Sequence, residues 1–176
     1  MGSSMRLVCN NCNYQREMNL GIGMMYPHVC KEELKKIEAG ERGEEAKFFL
    51  DDNDDAAVNC EIVPMRCDNC GELASNQAQT LYASYPKDIK PWIGSSLTFV
   101  LNKNGVMKHI PPIDEIDRET VKILVYGEHK CEVCGGKMRQ ISVPSIDEED
   151  VEQESDVKCP RCGHNLEVGP GLILWD

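Results

Sequence analysis

Long apolar runs are missing. Nowhere does the chain reach the ~18 consecutive apolar residues that suggest a membrane-spanning helix. Aromatic side chains are also scarce, at 6%, and they normally supply the largest buried areas of a core. Basic charge is in deficit, with 19 Lys and Arg against 30 Asp and Glu and a net charge of −11. The deficit runs the whole length: residues 1–85 hold 8 basic and 14 acidic side chains, and residues 86–176 hold 11 and 16. Nucleic-acid affinity rests largely on Lys and Arg neutralising phosphates. This balance disfavours such a partner unless folding sorts the bases onto one face. No charged-then-apolar leader opens the chain. The expected setting is therefore a reducing, cytoplasmic one, where thiols stay free or bind metal. Met1-Gly2-Ser3-Ser4 reads as an expression leader, with Met5 the expected natural start.

Several chemistries lack their motifs. There is no Gly-x-Ser-x-Gly nucleophile turn and no His-Glu-x-x-His metal helix. Gly21-Ile22-Gly23 is too short for a phosphate loop, and no Gly-Lys-Ser/Thr follows it. Asp51-Asp52-Asn53-Asp54-Asp55 has the acidity of a calcium loop but places Ala56 where Gly is needed and Ile62 where Glu is needed. It reads as a solvated turn.

Cysteine is what the chain has in excess. Of its 10 cysteines, 8 form four Cys-x-x-Cys pairs: Cys9/Cys12, Cys67/Cys70, Cys131/Cys134 and Cys159/Cys162. One such pair is a weak signal, whereas four in a short chain are a strong one. Two intervening residues let one tight turn offer both sulfurs to one ion, and four thiolates in a tetrahedron suit Zn²⁺ without an open position. The residue after each pair is Asn13, Gly71, Gly135 or Gly163. These types tolerate the positive φ that a chain reversing around a metal requires. Two structural ions are therefore expected, Zn²⁺ before Fe, on Cys9, Cys12, Cys67, Cys70, Cys131, Cys134, Cys159 and Cys162. Neighbouring pairs are expected to share an ion, because sequential elements usually adjoin. That puts Cys9/Cys12 with Cys67/Cys70, and Cys131/Cys134 with Cys159/Cys162. Crossed pairing would demand a more tangled chain. A zinc tetrathiolate carries a formal charge of −2, so Arg66, Lys130, Lys158 and Arg161, all beside the turns, are candidates to offset it. The competing reading makes them solvated surface charges.

The remaining pattern is strand-rich. Leu7–Leu20 reads as strand, turn and returning strand, followed by a loop over Gly21–Pro27. Lys31–Glu38 reads as a helix with Leu34 and Ile37 on one face, a Glu32–Lys36 pair and Gly40 at its end. Glu44–Leu50 reads as a second helical piece, with Ala46, Phe49 and Leu50 inward. Glu61–Met65 and Glu72–Ala83 flank the second turn. Pro86–Pro91 reads as a boundary. Thr98–Leu101 and Val106–Ile110 flank Asn102-Lys103-Asn104-Gly105 as a hairpin, and Pro111-Pro112 breaks its second strand. Val121, Ile123 and Val125 suit a strand entering the third turn, and Lys137–Val143 leaves it. Pro144–Asp156 is an acidic loop, and Asn165–Trp175 reads as terminal strands broken at Gly169-Pro170-Gly171.

The expected fold class is α+β, mostly small antiparallel β: two zinc-ribbon, rubredoxin-like lobes with a helical insertion in the first. Residues 5–85 would form the N-terminal ribbon with its insertion at 24–59. Residues 86–128 would form a connecting hairpin and strand, and 129–176 a C-terminal ribbon with an acidic loop. Cys30 and Cys60 stand outside the pattern. They read as small buried apolar groups, with metal binding or mutual pairing as alternatives. Of His28, His109, His129 and His164, the last two lie nearest the turns, but eight thiolates already complete two sets.

Leu20-Gly21-Ile22-Gly23 with Tyr26-Pro27, Gly40-Glu41-Arg42-Gly43, Cys67-x-x-Cys70-Gly71, Cys131-Glu132-Val133-Cys134-Gly135-Gly136-Lys137-Met138, Cys159-Pro160-Arg161-Cys162-Gly163 and Trp175-Asp176 carry a resemblance. Together with Cys9-x-x-Cys12, they make the chain resemble uncharacterised bacterial hypothetical proteins with two four-cysteine zinc ribbons. The likeness covers most of the chain, more loosely over 86–128. It implies a cytoplasmic zinc-binding protein with neighbour pairing, and it brings no activity, substrate or catalytic residue.

The expected function is a non-enzymatic, zinc-stabilised module that binds another protein, with specificity carried by the insertion. A nucleic-acid-binding ribbon is the first alternative. A rubredoxin-like or thiol redox protein is the second, suggested by Cys9-x-x-Cys12-Asn13-Tyr14 and the Cys-Pro-x-Cys-Gly turn.

Overall fold

The computed structural model describes residues 2–84, 98–110, 116–143 and 154–175. The expected boundary at 86–91, the Pro111-Pro112 break and most of the acidic loop at 144–156 lie outside them. Antiparallel β dominates, with two helices, as the α+β expectation required.

The strands are β1 (Gly2–Val8), β2 (Gln15–Gly21), β3 (Ala57–Asn59), β4 (Ile62–Cys67), β5 (Leu73–Gln77), β6 (Thr80–Ala83), β7 (Thr98–Asn102), β8 (Met107–Ile110), β9 (Lys122–Val125), β10 (Met138–Gln140), β11 (Glu154–Lys158) and β12 (Asn165–Trp175). Helix α1 spans Tyr26–Glu38 and α2 spans Glu44–Asp52. One sheet runs β10-β4-β2-β1-β12-β11, with β5 paired to β4. The other runs β8-β7-β3-β6-β9.

The chain divides into two compact units that do not follow sequence order. Unit 1 takes Met1–Gly23, Ile62–Asn76 and Glu128–Asp176; unit 2 takes Met24–Glu61 and Gln77–Gly127. This division replaces the expected one. Residues 5–85 and 129–176 do not make separate lobes: their cysteine turns share unit 1. The 24–59 segment belongs to unit 2, and so do the strands of the expected connector at 86–128. The reason is strand pairing. Strand β1 pairs with β2 from Gly2↔Gly21 to Val8↔Gln15 on one side. On its other side it pairs with β12, from Gly2↔Trp175 to Val8↔Glu167. Residues Gly2–Ser4, expected to be a leader, are therefore part of a central strand, and the Ser4 hydroxyl donates to Asn19 Oδ1 at 2.6 Å. The expected break at Gly169-Pro170-Gly171 is a register irregularity within one strand, since Ser4 faces Ile173 while Arg6 faces Gly169. A bulge tolerates a proline that a regular ladder does not.

The core of unit 1 gathers Met5, Leu7, Tyr14, Met18, Leu73, Val157 and Leu166 around Cys9 and Cys159. Apolar side chains alternate along β1 and reach across from β2 and β12, so one face of this sheet is the interior.

Unit 2 packs its helices and second sheet around Ala57, Tyr82, Val100, Ile110, Ile116 and Val121. Helix α1 begins five residues before its expected start, with Pro27 in its first turn, where a missing N–H costs nothing. It buries Tyr26, Cys30, Glu33, Leu34 and Ile37, a single helical face. It ends as expected at Gly40, which has φ +78°. There Gly40 N–H donates to Ile37 O and Glu41 N–H to Lys36 O, both at 2.9 Å, closing the helix in a Schellman turn. The expected Glu32–Lys36 pair is replaced by Glu32–Lys35 at 2.7 Å and Glu33–Lys36 at 3.6 Å. On α2, Ala46 and Leu50 are buried as expected, and Phe48 is exposed. The hairpin forms over β7 and β8, with Asn102 Oδ1 accepting from Asn104 and Val106 N–H. Strand β9 pairs with β6 in unit 2 rather than running into the third turn, and Val125 at its end is exposed.

One buried and one half-buried carboxylate stand out in unit 2. Glu33, 3% exposed, is held by a guanidinium fork from Arg42 at 2.6 and 2.9 Å. Tyr126 also donates to it at 3.3 Å. A buried charge needs such pairing. Glu61 has no cation partner among the described residues. Its carboxylate accepts from Phe99 N–H at 3.0 Å, and burial pushes its pKa up to about 7, against those hydrogen bonds. A carboxyl group with a raised folded-state pKa favours the native state in acid and loses that advantage as pH climbs through the raised value. Unit 2 should therefore lose on the order of 2–3 kcal/mol between about pH 4.5 and pH 8 from this group. Glu61→Gln keeps the acceptor oxygen and removes the charge. Thermal melts should show the variant more stable than the parent at pH 8 and equal to it at pH 5. Parallel pH profiles would contradict this.

Candidate metal centres

Each Cys-x-x-Cys turn repeats one hydrogen-bond pattern. The amide four residues after the first cysteine donates back to that cysteine's carbonyl: Asn13 to Cys9 at 3.2 Å, Gly71 to Cys67 at 3.0 Å, Gly135 to Cys131 at 2.8 Å and Gly163 to Cys159 at 3.0 Å. The first cysteine's own N–H donates five residues onward, to Tyr14, Glu72, Gly136 and His164 carbonyls at 2.7–2.9 Å. Closing these two rings forces a left-handed residue after the second cysteine. Asn13 has φ +56°, Gly71 +75°, Gly135 +71° and Gly163 +74°. The residue types at these four positions are the sequence signal, and the backbone uses them as expected.

The sulfurs gather into two groups of four: Cys9, Cys12, Cys159 and Cys162 at site 1, and Cys67, Cys70, Cys131 and Cys134 at site 2. Within each group all sulfurs lie within 4.8 Å of one another. The short approaches are Cys9–Cys162 at 3.5 Å, Cys12–Cys159 at 3.6 Å, Cys67–Cys134 at 3.4 Å and Cys70–Cys131 at 3.6 Å. A tetrahedron with Zn–S bonds of about 2.3 Å has edges of about 3.8 Å, so both quartets suit an ion of that size. Both groups can hold a metal.

Neighbour pairing is overturned. The first turn joins the fourth and the second joins the third. The ladders explain it: β1 lies against β12, which carries the first turn beside the fourth. Strand β10 lies against β4, with Met138↔Cys67, Arg139↔Arg66 and Gln140↔Met65, which carries the third turn beside the second. The close fit of site 2 leaves no room at Gly136, where an added Cβ would sit 2.9 Å from Asn69 Nδ2.

The groups around the sulfurs differ from the expected bases. Lys158 Nζ bonds Asn165 Oδ1, and the Arg161 guanidinium lies 5.4 Å above the Tyr14 ring. Arg66 packs against Gly71. The sulfurs draw on backbone amides instead. Asn69 N–H donates to Cys67 Sγ at 3.4 Å. The Cys70 amide, against burial, holds Cys67 down to about 6. The His164 amide, again against burial and aided by the Asn11 side chain, holds Cys162 down to about 5. Cys12 accepts from the Tyr14 amide and Cys70 from the Glu72 amide. Burial and the neighbouring thiols nonetheless push both up to about 12. Crowded thiols cannot all ionise without a cation. Sequence reasoning missed Asn11, Asn69 and these amides; only asparagine inside the turns hinted at them. His129 and His164 belong to neither group of sulfurs, and the ring Nδ1 of His164 lies 3.3 Å from the Cys162 carbonyl oxygen.

The sites differ in shelter. Cys9 and Cys159 are part of the unit 1 core, with Cys12 and Cys162 packed against it. At site 2, Cys134 is exposed and Cys70 half-buried.

No family model, curated protein or solved structure matches the chain. Fold and site together define an α+β protein of two units, one of which carries a pair of four-cysteine sites that can hold metal ions.

A chelator titration followed by mass spectrometry should remove metal from site 2 before site 1, with the exposed Cys134 alkylated first. Simultaneous loss would contradict the ordering. Gly135 has open space around its missing Cβ, so Gly135→Ala tests backbone conformation alone. Its left-handed φ should cost roughly 1–2 kcal/mol, read as a lowered chelator midpoint for site 2 and not for site 1.

Proposed function

We propose that the protein is a non-enzymatic, zinc-stabilised interaction module whose partner is another protein. One observation supports this most: each sulfur quartet is complete in itself, so a bound ion keeps no position for substrate. Zn²⁺ is favoured over Fe because its role in such a cage is structural, and apparent zinc-binding free energies reach roughly 10–16 kcal/mol in small folded units. The paired ladders around the four turns suit a double zinc ribbon in one unit, placed in a reducing, cytoplasmic setting. Unit 2 is the part that a ribbon lacks, and it offers the apolar contact surface. Met24 is 76% exposed, Met25 64% and Phe48 60%. Single exposed apolar residues are common, but Met and Phe are also residues that interfaces favour.

Native mass spectrometry should give two zinc ions per chain in a colourless protein. Iron with visible absorption would replace this reading by a rubredoxin-like one. Affinity capture with the Met24→Ser, Met25→Ser, Phe48→Ser variant should lose a co-purifying protein that the parent retains, while both keep two ions. Equal recovery would remove unit 2 from the interface. Binding to DNA or RNA that weakens steeply with salt would favour the nucleic-acid alternative, and none is expected at a net charge of −11.

A further inference from the structure

Two cross-strand pairs beside site 2 oppose charges of the same sign. In the β4–β10 ladder Arg66 stands directly across from Arg139. At the base of the third turn Lys130 and Lys137 face each other in an isolated antiparallel bridge. Residues directly opposed in antiparallel strands send their side chains to one face, and so do residues two apart along a strand. Lys137 and Arg139 are two apart, so the pairs join into one face of unit 1 that carries Arg66, Lys130, Lys137 and Arg139. Lys130, Lys137 and Arg139 are exposed, and Arg66 is half-buried against Gly71.

Opposed charges of one sign destabilise a sheet, and a chain with 30 Asp and Glu has acids to place there instead. A single carboxylate meets the face: Asp68 Oδ1 lies 2.9 Å from Arg139 Nε. Among the described residues Arg66, Lys130 and Lys137 have no ion-pair partner, although Glu128 and Glu132 flank Lys130 in sequence. The Cys67 and Cys70 sulfurs draw on backbone amides. The face is also small. Opposed Cα atoms are about 5 Å apart, and residues two apart along a strand are about 7 Å apart. An extended peptide carries alternate side chains at that same spacing of about 7 Å. Two carboxylates on alternate residues therefore match Lys137 and Arg139, with Lys130 across from the first. A nucleic acid needs a longer run of cations for its successive phosphates, and the acidic excess of the chain opposes it.

On the reading that the partner is a protein, we propose that this face docks an acidic segment of it, extended and with Glu or Asp at alternate positions. Lys130 and Lys137 meet one carboxylate as point charges from its two sides. Arg139 exchanges Asp68 for the next carboxylate, which its planar guanidinium can hold by two parallel hydrogen bonds. Arg66 adds its charge from the half-buried side. The incoming carboxylates supply what the opposed pairs lack, so binding relieves the repulsion within them. Contacts of this kind are exposed, and salt weakens them.

The test uses the full chain with its metal ions bound. The probe is a short fluorescent peptide of alternating Glu and Thr, with its Gln–Thr counterpart as control, read by anisotropy at low and at physiological salt. The Glu peptide should bind, more weakly as salt rises, and the Gln peptide should not. The double variant Lys130→Gln, Lys137→Gln should bind the Glu peptide roughly tenfold more weakly. It should keep two metal ions and melt no lower than the parent, because the removed charges repel each other. Lys31→Gln with Lys35→Gln removes the same charge from α1 and should leave binding unchanged. Asp68→Asn releases Arg139 and should tighten binding a few-fold, a gain that misfolding cannot imitate. Unchanged affinity in both site 2 variants overturns the proposal. So does weaker metal binding in the lysine variant with the peptide still bound, since the pairs then serve the sulfur cage. Preference for a single-stranded RNA over the peptide overturns the choice of occupant. Failure of the peptide to bind, with the Met24, Met25 and Phe48 variant still losing its co-purifying protein, overturns this face and leaves the protein-binding reading in place.

Discussion

Four cysteine sulfurs within 4.8 Å of one another make a local electrostatic demand that shapes the whole of unit 1. As thiolates they repel; as thiols they forgo the ionised forms that the surrounding amides favour. The Cys67 and Cys162 sulfurs are held toward the thiolate by backbone N–H groups, while Cys12 and Cys70 are held toward the thiol by burial and by their neighbours. A divalent cation would resolve that conflict in one step, displacing the remaining protons and neutralising half the formal charge. The amides would then meet the residual charge at the sulfurs themselves, while Lys158 and Arg161 beside the turns engage other groups.

The two quartets are nested in sequence, outer turns with outer and inner with inner. Chain separation within each quartet is therefore large: Cys12 and Cys159 are 147 positions apart, and Cys70 and Cys131 are 61. Closing such loops carries an entropic cost that grows only slowly with length. The β1–β12 ladder brings the outer turns together over most of the length of β1 before any ion is counted. A bound ion and the ladder would act on the same loops, so each would favour the other. The same closure lets unit 2 occupy the chain between the turns without disturbing either cage.

What is legible in the sequence is local. The eight cysteines, the left-handed residue after each pair, the Gly40 helix stop and the Asn102–Gly105 turn each depend on residue type within a span of a few positions. All of them stand in the structure. What is not legible is partnership. Turn chemistry is the same whichever two turns share an ion, so Cys9-x-x-Cys12 carries no mark that selects Cys159 over Cys67. That choice lies in the strand ladders, whose short alternating segments are interchangeable by pattern alone. Preferring sequential neighbours gives the wrong answer because unit 2 fills the intervals between them. The same error sets the expected domain boundaries. Gly2–Ser4 misleads for a different reason: a short small-residue opening has the composition of a tag, and only its place between β2 and β12 marks it as strand.

The two units solve the problem of a thin apolar supply in different ways. Unit 1 gathers eight cysteines into two groups that can hold metal ions. Unit 2 has no quartet among its described residues and instead places polar groups inside, with Glu33 forked by Arg42 and touched by Tyr126, and Tyr26 bridging α1 to the sheet. Each buried polar group must find a partner or lose more than a hydrogen bond returns. Such an interior fixes its geometry more tightly than an apolar core of the same volume would, because Glu33 tolerates only a cation in the place of Arg42.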